Sequence, residues 1–189
     1  MHPVPGPLLP DARLRAEIAD RLLGGHASVT PDRAFDGIPE ALAHVRPPGA
    51  AHTLWELLVH VSFTLTDILR FCVEADYRAP AWPEAYWLAR RGPRPGEWEQ
   101  ALALYLAARD RLVTMVENPA TDLFAEFAHA PGYTMLREAL LAAEHSAYHT
   151  GQVVSLRRTL GIWPPDEAAS DGAVGGAAPE SRTSESRTS

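Results

Sequence analysis

The sequence predicts an all-α protein: a four-helix bundle with one long connection and a disordered C-terminal tail. Apolar residues recur at helical spacing in four long segments, and capping residues, glycines or prolines bound each segment. No segment shows the alternating pattern of a β-strand. Four long helices with one long crossover are typical of a four-helix bundle. We place the bundle at residues 11–165 and the tail, which has almost no large apolar residue, at residues 166–189.

The first long helix is predicted over residues 11–23, where Gly24 and Gly25 end it. Its apolar positions recur every fourth residue, at Leu14, Ile18 and Leu22. Thr30 and Pro31 then have the character of an N-cap and a first helical residue, so a short helical segment follows.

The second long helix is predicted from Thr53 to about Glu74. Thr53 and Glu56 form a capping-box pattern, with a threonine cap and a glutamate three residues later. Residues 77–95 then make a connection rich in proline and aromatic residues, including the segment 82–87. Connections of this length inside a compact domain are often functional.

The third and fourth long helices are predicted over residues 96–117 and from Thr134 to Leu160. Asn118 and Pro119 end the third helix, and Thr134 is a suitable cap for the fourth. After Leu160, a glycine and two prolines end the fourth helix.

Composition narrows the classes of function. The chain has 189 residues, of which 46% are apolar, and a formal net charge of −7. Because the chain is acidic and has no run of basic residues, its composition does not favour binding to nucleic acid or to an anionic membrane. No stretch is long enough to span a membrane and the N-terminus lacks signal-peptide features, so we expect a cytoplasmic protein. Cys72, the single cysteine, lies in an apolar run typical of a buried thiol.

Two histidines, His145 and His149, lie one helical turn apart on the fourth predicted helix, so both imidazoles can bind one metal ion. Such a site needs another ligand, and His60 on the second helix is the candidate, because ligands in bundles project inward from facing helices. Three protein nitrogens with an open position are typical of a catalytic metal site. Imidazole binds zinc, nickel, iron and copper, so the ligand type leaves the ion undetermined.

Four further residues are candidates for accessory or catalytic roles: Glu56, Asp67, Tyr148 and Gln152. Glu56 and Asp67 lie on the same side of the second helix as His60, where either carboxylate could accept its second ring N–H. Gln152 follows His149 by three residues and could reach metal-coordinated solvent. Glu56, Asp67 and Gln152 also have ordinary interpretations, as a capping-box glutamate, a helix-surface aspartate and an exposed glutamine. The remaining histidines are interpreted as structural or surface groups: His2, His26, His44, His52 and His129.

The segments 52–60 and 144–154, followed by 156–161, resemble the DinB-like superfamily of metal-binding four-helix proteins, over about residues 11–165. The resemblance implies an up-down-down-up bundle, often a homodimer. It also implies a divalent metal on His60, His145 and His149, commonly zinc or nickel. Iron and manganese are the alternatives for this ion. Relatives include metal-dependent transferases that use low-molecular-weight thiols such as bacillithiol, and a mycothiol-dependent isomerase.

Three functions remain open. The first is an enzyme that transfers a thiol to a small electrophile, or performs metal-assisted hydrolysis, in stress response or detoxification. The second is a metal-stabilised stress or binding protein without turnover. The third is an interaction module that uses the aromatic segment 82–87 as a docking surface.

Overall fold

The computed structural model describes residues 10–87 and 91–165, which contain six α-helices. The predicted tail at residues 166–189 lies outside the described residues. The helices are α1 (Pro10–Leu23), α2 (Pro31–Phe35), α3 (Glu40–Ala43), α4 (Leu54–Val73), α5 (Glu97–Glu117) and α6 (Met135–Thr159). The four long ones, α1, α4, α5 and α6, form the predicted bundle, so the all-α fold is confirmed.

Local capping explains where the helices begin. The Thr53 side chain accepts a hydrogen bond from the Glu56 backbone N–H, and the Glu56 carboxylate accepts one from the Thr53 N–H, so the capping box is formed. The Thr30 and Thr134 side chains cap α2 and α6 by accepting a hydrogen bond from the backbone N–H of Arg33 and of Arg137, respectively. Gly161 follows α6 with φ of +73°, a left-handed conformation that glycine adopts without strain.

Contacts near the helix ends fix the relative directions of the first three long helices. The guanidinium of Arg15, near the start of α1, donates to the carbonyls of Val116 and Asn118 at the end of α5, so α1 and α5 are antiparallel. The rings of Trp55 and Trp98, in the first turns of α4 and α5, lie 6.3 Å apart. These two helices therefore run parallel.

The fourth long helix returns in the direction of the first. Phe71, near the end of α4, lies 5.4 Å from the ring of Tyr133, just before α6, so α4 and α6 are antiparallel. The order is up-down-down-up, as predicted. Because α4 and α5 are consecutive and parallel, the connection between them must travel back along the bundle, which accounts for its length.

The core lies between the four long helices and includes the buried side chains of Leu58, Leu65, Leu112 and Val153. The fully buried guanidinium of Arg157 on α6 donates to the carbonyls of Ala34 and Asp36, at the end of α2. A buried cation with these acceptors stabilises the packing of α2 against α6.

A small antiparallel hairpin precedes α6, formed by β1 (Glu126–Phe127) and β2 (Ala130–Thr134). The expectation that no strand would occur was wrong here. The strands are too short to show an alternating pattern, and Pro131 and Gly132 interrupt the second one. Among the described residues, no helix is both long enough and apolar enough to cross a membrane.

Candidate metal centre

His60, His145 and His149 meet where α4 packs against α6. One ring nitrogen of each histidine lies within 4.8 Å of the corresponding nitrogen of the other two. The Nε2 atoms of His60 and His145 lie 3.1 Å apart. His60 and His149 are buried and His145 is half-buried. The structure therefore brings together three residues that could hold one metal ion.

Hydrogen bonds on the outer side of two rings define which nitrogen is free. The carbonyl of Tyr86 accepts a bond of 2.9 Å from His60 Nδ1, and the Oε1 atom of Gln152 accepts one of 2.8 Å from His149 Nδ1. A carbonyl oxygen can only accept, so both Nδ1 atoms carry the proton. The Nε2 atoms of His60 and His149 are then unprotonated, the form in which imidazole binds metals.

The surroundings keep all three rings neutral. Burial lowers the pKa of His145 to about 3, and neighbouring His149 and His60 act in the same direction. Burial also lowers the pKa of His149 to about 4, against the opposing effect of its Gln152 hydrogen bond, and it lowers the pKa of His60. At neutral pH the site presents neutral imidazoles with low proton affinity.

The donor set fits a divalent cation. Within residues 10–87 and 91–165, no fourth histidine, cysteine, aspartate or glutamate belongs to the group, so three protein ligands leave a coordination position open. Among the described residues, His145 Nδ1 is buried without a hydrogen-bond partner, so the Nε2 atom that faces His60 is the nitrogen through which this ring would bind a metal. Borderline ions such as zinc and nickel accept three nitrogen ligands of this kind.

A comparison with models of known protein families assigns the chain to a family. The model of the DinB superfamily matches residues 31–153, a region that contains all three histidines. The chain belongs to the DinB superfamily.

The superfamily is metal-binding, in keeping with the histidine group of this member. Comparisons with curated proteins and with solved structures found no match.

The accessory candidates of this DinB-superfamily protein occupy different surroundings. Glu56 belongs to the capping box and forms a bidentate ion pair with Arg46, so its carboxylate does not contact His60. Asp67 is buried, but it is not the acceptor for His60 Nδ1. That nitrogen donates its hydrogen bond to the carbonyl of Tyr86. Gln152 contacts the ring of His149, and its Nε2 donates to the hydroxyl of Tyr148 at 3.1 Å.

Sequence reasoning marked the connection between α4 and α5 as a segment that is often functional, but it did not predict the contacts of this connection with the histidines. Trp87 lies between two histidine rings, stacked on His60 and on His52 with centroid distances of 3.9 Å to each. Together with the Tyr86 carbonyl, it covers the outer face of His60. The aromatic composition of the segment was a usable signal, but no sequence pattern identifies which ring contacts a histidine.

A cavity of about 370 Å³ adjoins His145. Its walls combine aromatic rings with polar groups and include Asp67, Tyr77, Trp82, Tyr86, Arg137 and His145. A second, larger cleft of about 590 Å³ is lined by Tyr148, Gln152 and the segment 47–52. Both spaces are large enough for a small molecule.

Cys72 does not contribute a nucleophile to this site. It is half-buried and packs against the core, and burial raises the pKa of its thiol to about 12. A thiol with so high a pKa is not ionised at neutral pH and is therefore unreactive.

Proposed function

We propose that the protein is a metal-dependent enzyme that transfers a low-molecular-weight thiol to a small electrophile, in stress response or detoxification. The observation that carries this proposal is the three-imidazole group without a fourth ligand among the described residues. A bound divalent metal with an open position lowers the pKa of a coordinated thiol or water and thus supplies a nucleophile at neutral pH. Zinc and nickel are the preferred ions of this proposal, and iron or manganese the alternatives.

The neighbouring cavity supports an enzyme. His145 lies in its wall, and Trp82 and Tyr86 line the same space. A small electrophile bound there would lie against one of the candidate ligands. In the transfer, the thiol loses its proton to solvent, its sulfur forms a bond to an electrophilic carbon, and the leaving group departs with the electron pair of the broken bond. Hydrolysis with water in place of the thiol uses the same residues.

The chain's own residues prepare the site for this chemistry. Gln152 holds His149, and the Tyr86 carbonyl holds His60, with the ring nitrogens that face the centre unprotonated. Trp87 excludes water from one face of His60. Fixed, dehydrated ligands favour a single coordination arrangement.

Cobalt substitution provides the test, because Co²⁺ absorbs visible light according to its ligands. We expect cysteine, or a larger low-molecular-weight thiol, to change the spectrum of the cobalt protein and to support turnover of alkyl or aryl halides and epoxides. His149→Ala should abolish both effects. His26→Ala, which removes an exposed histidine outside the site, is the control. A cobalt spectrum insensitive to every thiol, without turnover, would contradict thiol transfer.

The second candidate is a metal-stabilised binding protein without turnover. Its support is the burial of His60 and His149, 4% and 6% exposed, and the cover provided by Trp87. This candidate predicts that metal raises the unfolding temperature while no thiol reaches it. A homodimer in the cytoplasm remains part of the proposal for either function.

The aromatic segment is a weaker candidate for docking. Tyr86 and Trp87 hold the connection to the bundle, through Asp67 and His60 respectively. The side chain of Trp82 is 71% exposed, and its ring lies 5.2 Å from that of Tyr86. These contacts favour the role of pinning the connection.

A further inference from the structure

The connection between α4 and α5 is bound to α4 through one buried carboxylate. The hydroxyl of Tyr77 donates to both oxygens of Asp67 at 3.0 Å, and the hydroxyl of Tyr86 donates to Asp67 Oδ2 at 2.6 Å. Asp67 is buried, and the two half-buried phenols reach it from the connection, at the wall of the cavity beside His145. Hydrogen bonds to a charged acceptor are stronger than those between neutral groups.

Tyr86 contacts α4 at two places, two helical turns apart. Its side chain reaches Asp67, and its backbone carbonyl accepts the hydrogen bond from His60 Nδ1. The ring between them packs edge-on against Phe63, with centroids 5.1 Å apart. Tyr86 therefore links a buried carboxylate to a candidate metal ligand through a rigid side chain and its own backbone.

The two tyrosines stay donors over the physiological pH range. Burial, with the hydrogen bond to Asp67, raises the pKa of Tyr77 to about 12 and raises that of Tyr86 as well. Both hydroxyls therefore keep the proton that they donate to Asp67.

We propose that Asp67 is a positioning residue of the metal centre, acting through Tyr86 on His60. By holding the Tyr86 hydroxyl, Asp67 keeps the Tyr86 carbonyl against His60 Nδ1. This fixes the His60 tautomer and directs its Nε2 toward His145 and His149. The inference rests on the proposed function, since it requires the three histidines to bind metal.

Two tyrosine-to-phenylalanine substitutions distinguish a positioning role of Asp67 from simple anchoring of the connection. Tyr86→Phe and Tyr77→Phe each remove one hydroxyl that donates to Asp67 and keep the aromatic ring. Only Tyr86 also contributes the carbonyl that binds His60. A merely structural role of Asp67 predicts similar effects of the two variants on the centre.

The test uses the full-length protein and measures zinc affinity by competition with a chromophoric chelator at pH 7, together with the Co²⁺ spectrum. The parent is measured first. We expect Tyr86→Phe and Asp67→Asn to weaken zinc binding about tenfold and to shift the cobalt bands, the range found for outer partners of ligand histidines. Tyr77→Phe should change zinc affinity less than about threefold on the same principle.

The outcomes separate this inference from the function on which it rests. A parent that binds zinc tightly, with Tyr86→Phe binding equally well and showing an unchanged cobalt spectrum, would overturn the role of Asp67 and leave the metal centre intact. Equal losses in Tyr86→Phe and Tyr77→Phe would also overturn it. A parent that binds no metal would overturn both. If Asp67→Asn fails to fold, Tyr86→Phe decides the question, because its aromatic ring is retained.

Discussion

The Nε2 atoms of His60 and His145 lie 3.1 Å apart, although 85 residues separate the two histidines in the chain. Because His60 holds its proton on Nδ1, bonded to the Tyr86 carbonyl, its Nε2 accepts the hydrogen bond and His145 Nε2 donates it. A cation bound by both nitrogens replaces this hydrogen bond. Metal binding would therefore require the proton on His145 Nε2 to move to Nδ1, while the ring stays neutral.

Zinc binding should release few protons, because the lowered pKa values of His145 and His149 leave both imidazoles neutral well below pH 7. At pH 6, three histidines with ordinary pKa values would together release about two protons. We expect less than about one. Calorimetric titration at pH 6 in buffers of different ionisation enthalpy gives this number directly, and a release of two protons would show that the rings are protonated in the metal-free protein.

The metal-free protein should lose stability as the pH falls below about 6.5. The unfolded chain binds protons at its histidines near their ordinary pKa of 6.5, whereas in the folded state His145 and His149 do so only near about 3 and 4. The unfolded state thus binds more protons across this window, and acidification favours it. Between pH 7 and 5 the expected loss is about 1–2 kcal/mol for each of the two histidines.

Urea unfolding at a series of pH values measures this dependence. His149→Gln removes one of the two titrating groups and should flatten the profile. A free energy of unfolding that is constant from pH 7 to pH 5 in the metal-free parent would contradict the burial of neutral imidazoles.

Gln152→Ala should weaken zinc binding about tenfold, because His149 Nδ1 then loses the acceptor that fixes its tautomer. Tyr148→Phe is the matched control. It removes a hydroxyl that contacts Gln152 on the exposed side and leaves the bond to His149 in place. Chelator competition measures both variants, and equal affinities for Gln152→Ala and the parent would exclude an orienting role for Gln152.

Leu112→Ala should destabilise the protein by about 2–5 kcal/mol, since this α5 side chain is 0% exposed and its truncation leaves a cavity. Leu104→Ala on the same helix removes a side chain that is 53% exposed, so we expect a loss below about 0.5 kcal/mol. Urea unfolding compares the two. Similar losses would mean that α5 is packed differently from the structure described here.

Local signals allowed the sequence to predict most of the bundle. A capping residue acts within one turn, so Thr53 and Thr134 marked the starts of α4 and α6 correctly. The spacing of His145 and His149 likewise fixed their common face without any tertiary information. The hairpin before α6 was not predicted because its strands are too short to show a periodic pattern.

The surroundings of the site could not be predicted in the same way. The acceptor for His60 Nδ1 is a backbone carbonyl of Tyr86, and a carbonyl is present at every residue, so the sequence does not single it out. Glu56 and His60 share a helix face, but the Glu56 carboxylate forms its ion pair with Arg46, which lies in a separate segment before α4. The partners of these side chains depend on the three-dimensional path of the connecting segments.

The metal content of the tag-free, full-length protein decides whether the three histidines form a metal site. Plasma mass spectrometry would compare the parent, His60→Ala and His149→Ala, with His26→Ala as the control outside the site. We predict about one divalent ion per chain in the parent and the control, and its loss in both site variants while they remain folded by circular dichroism. A parent without metal even after reconstitution with zinc, nickel and manganese, or an unchanged metal content in His60→Ala, would contradict the three-histidine centre.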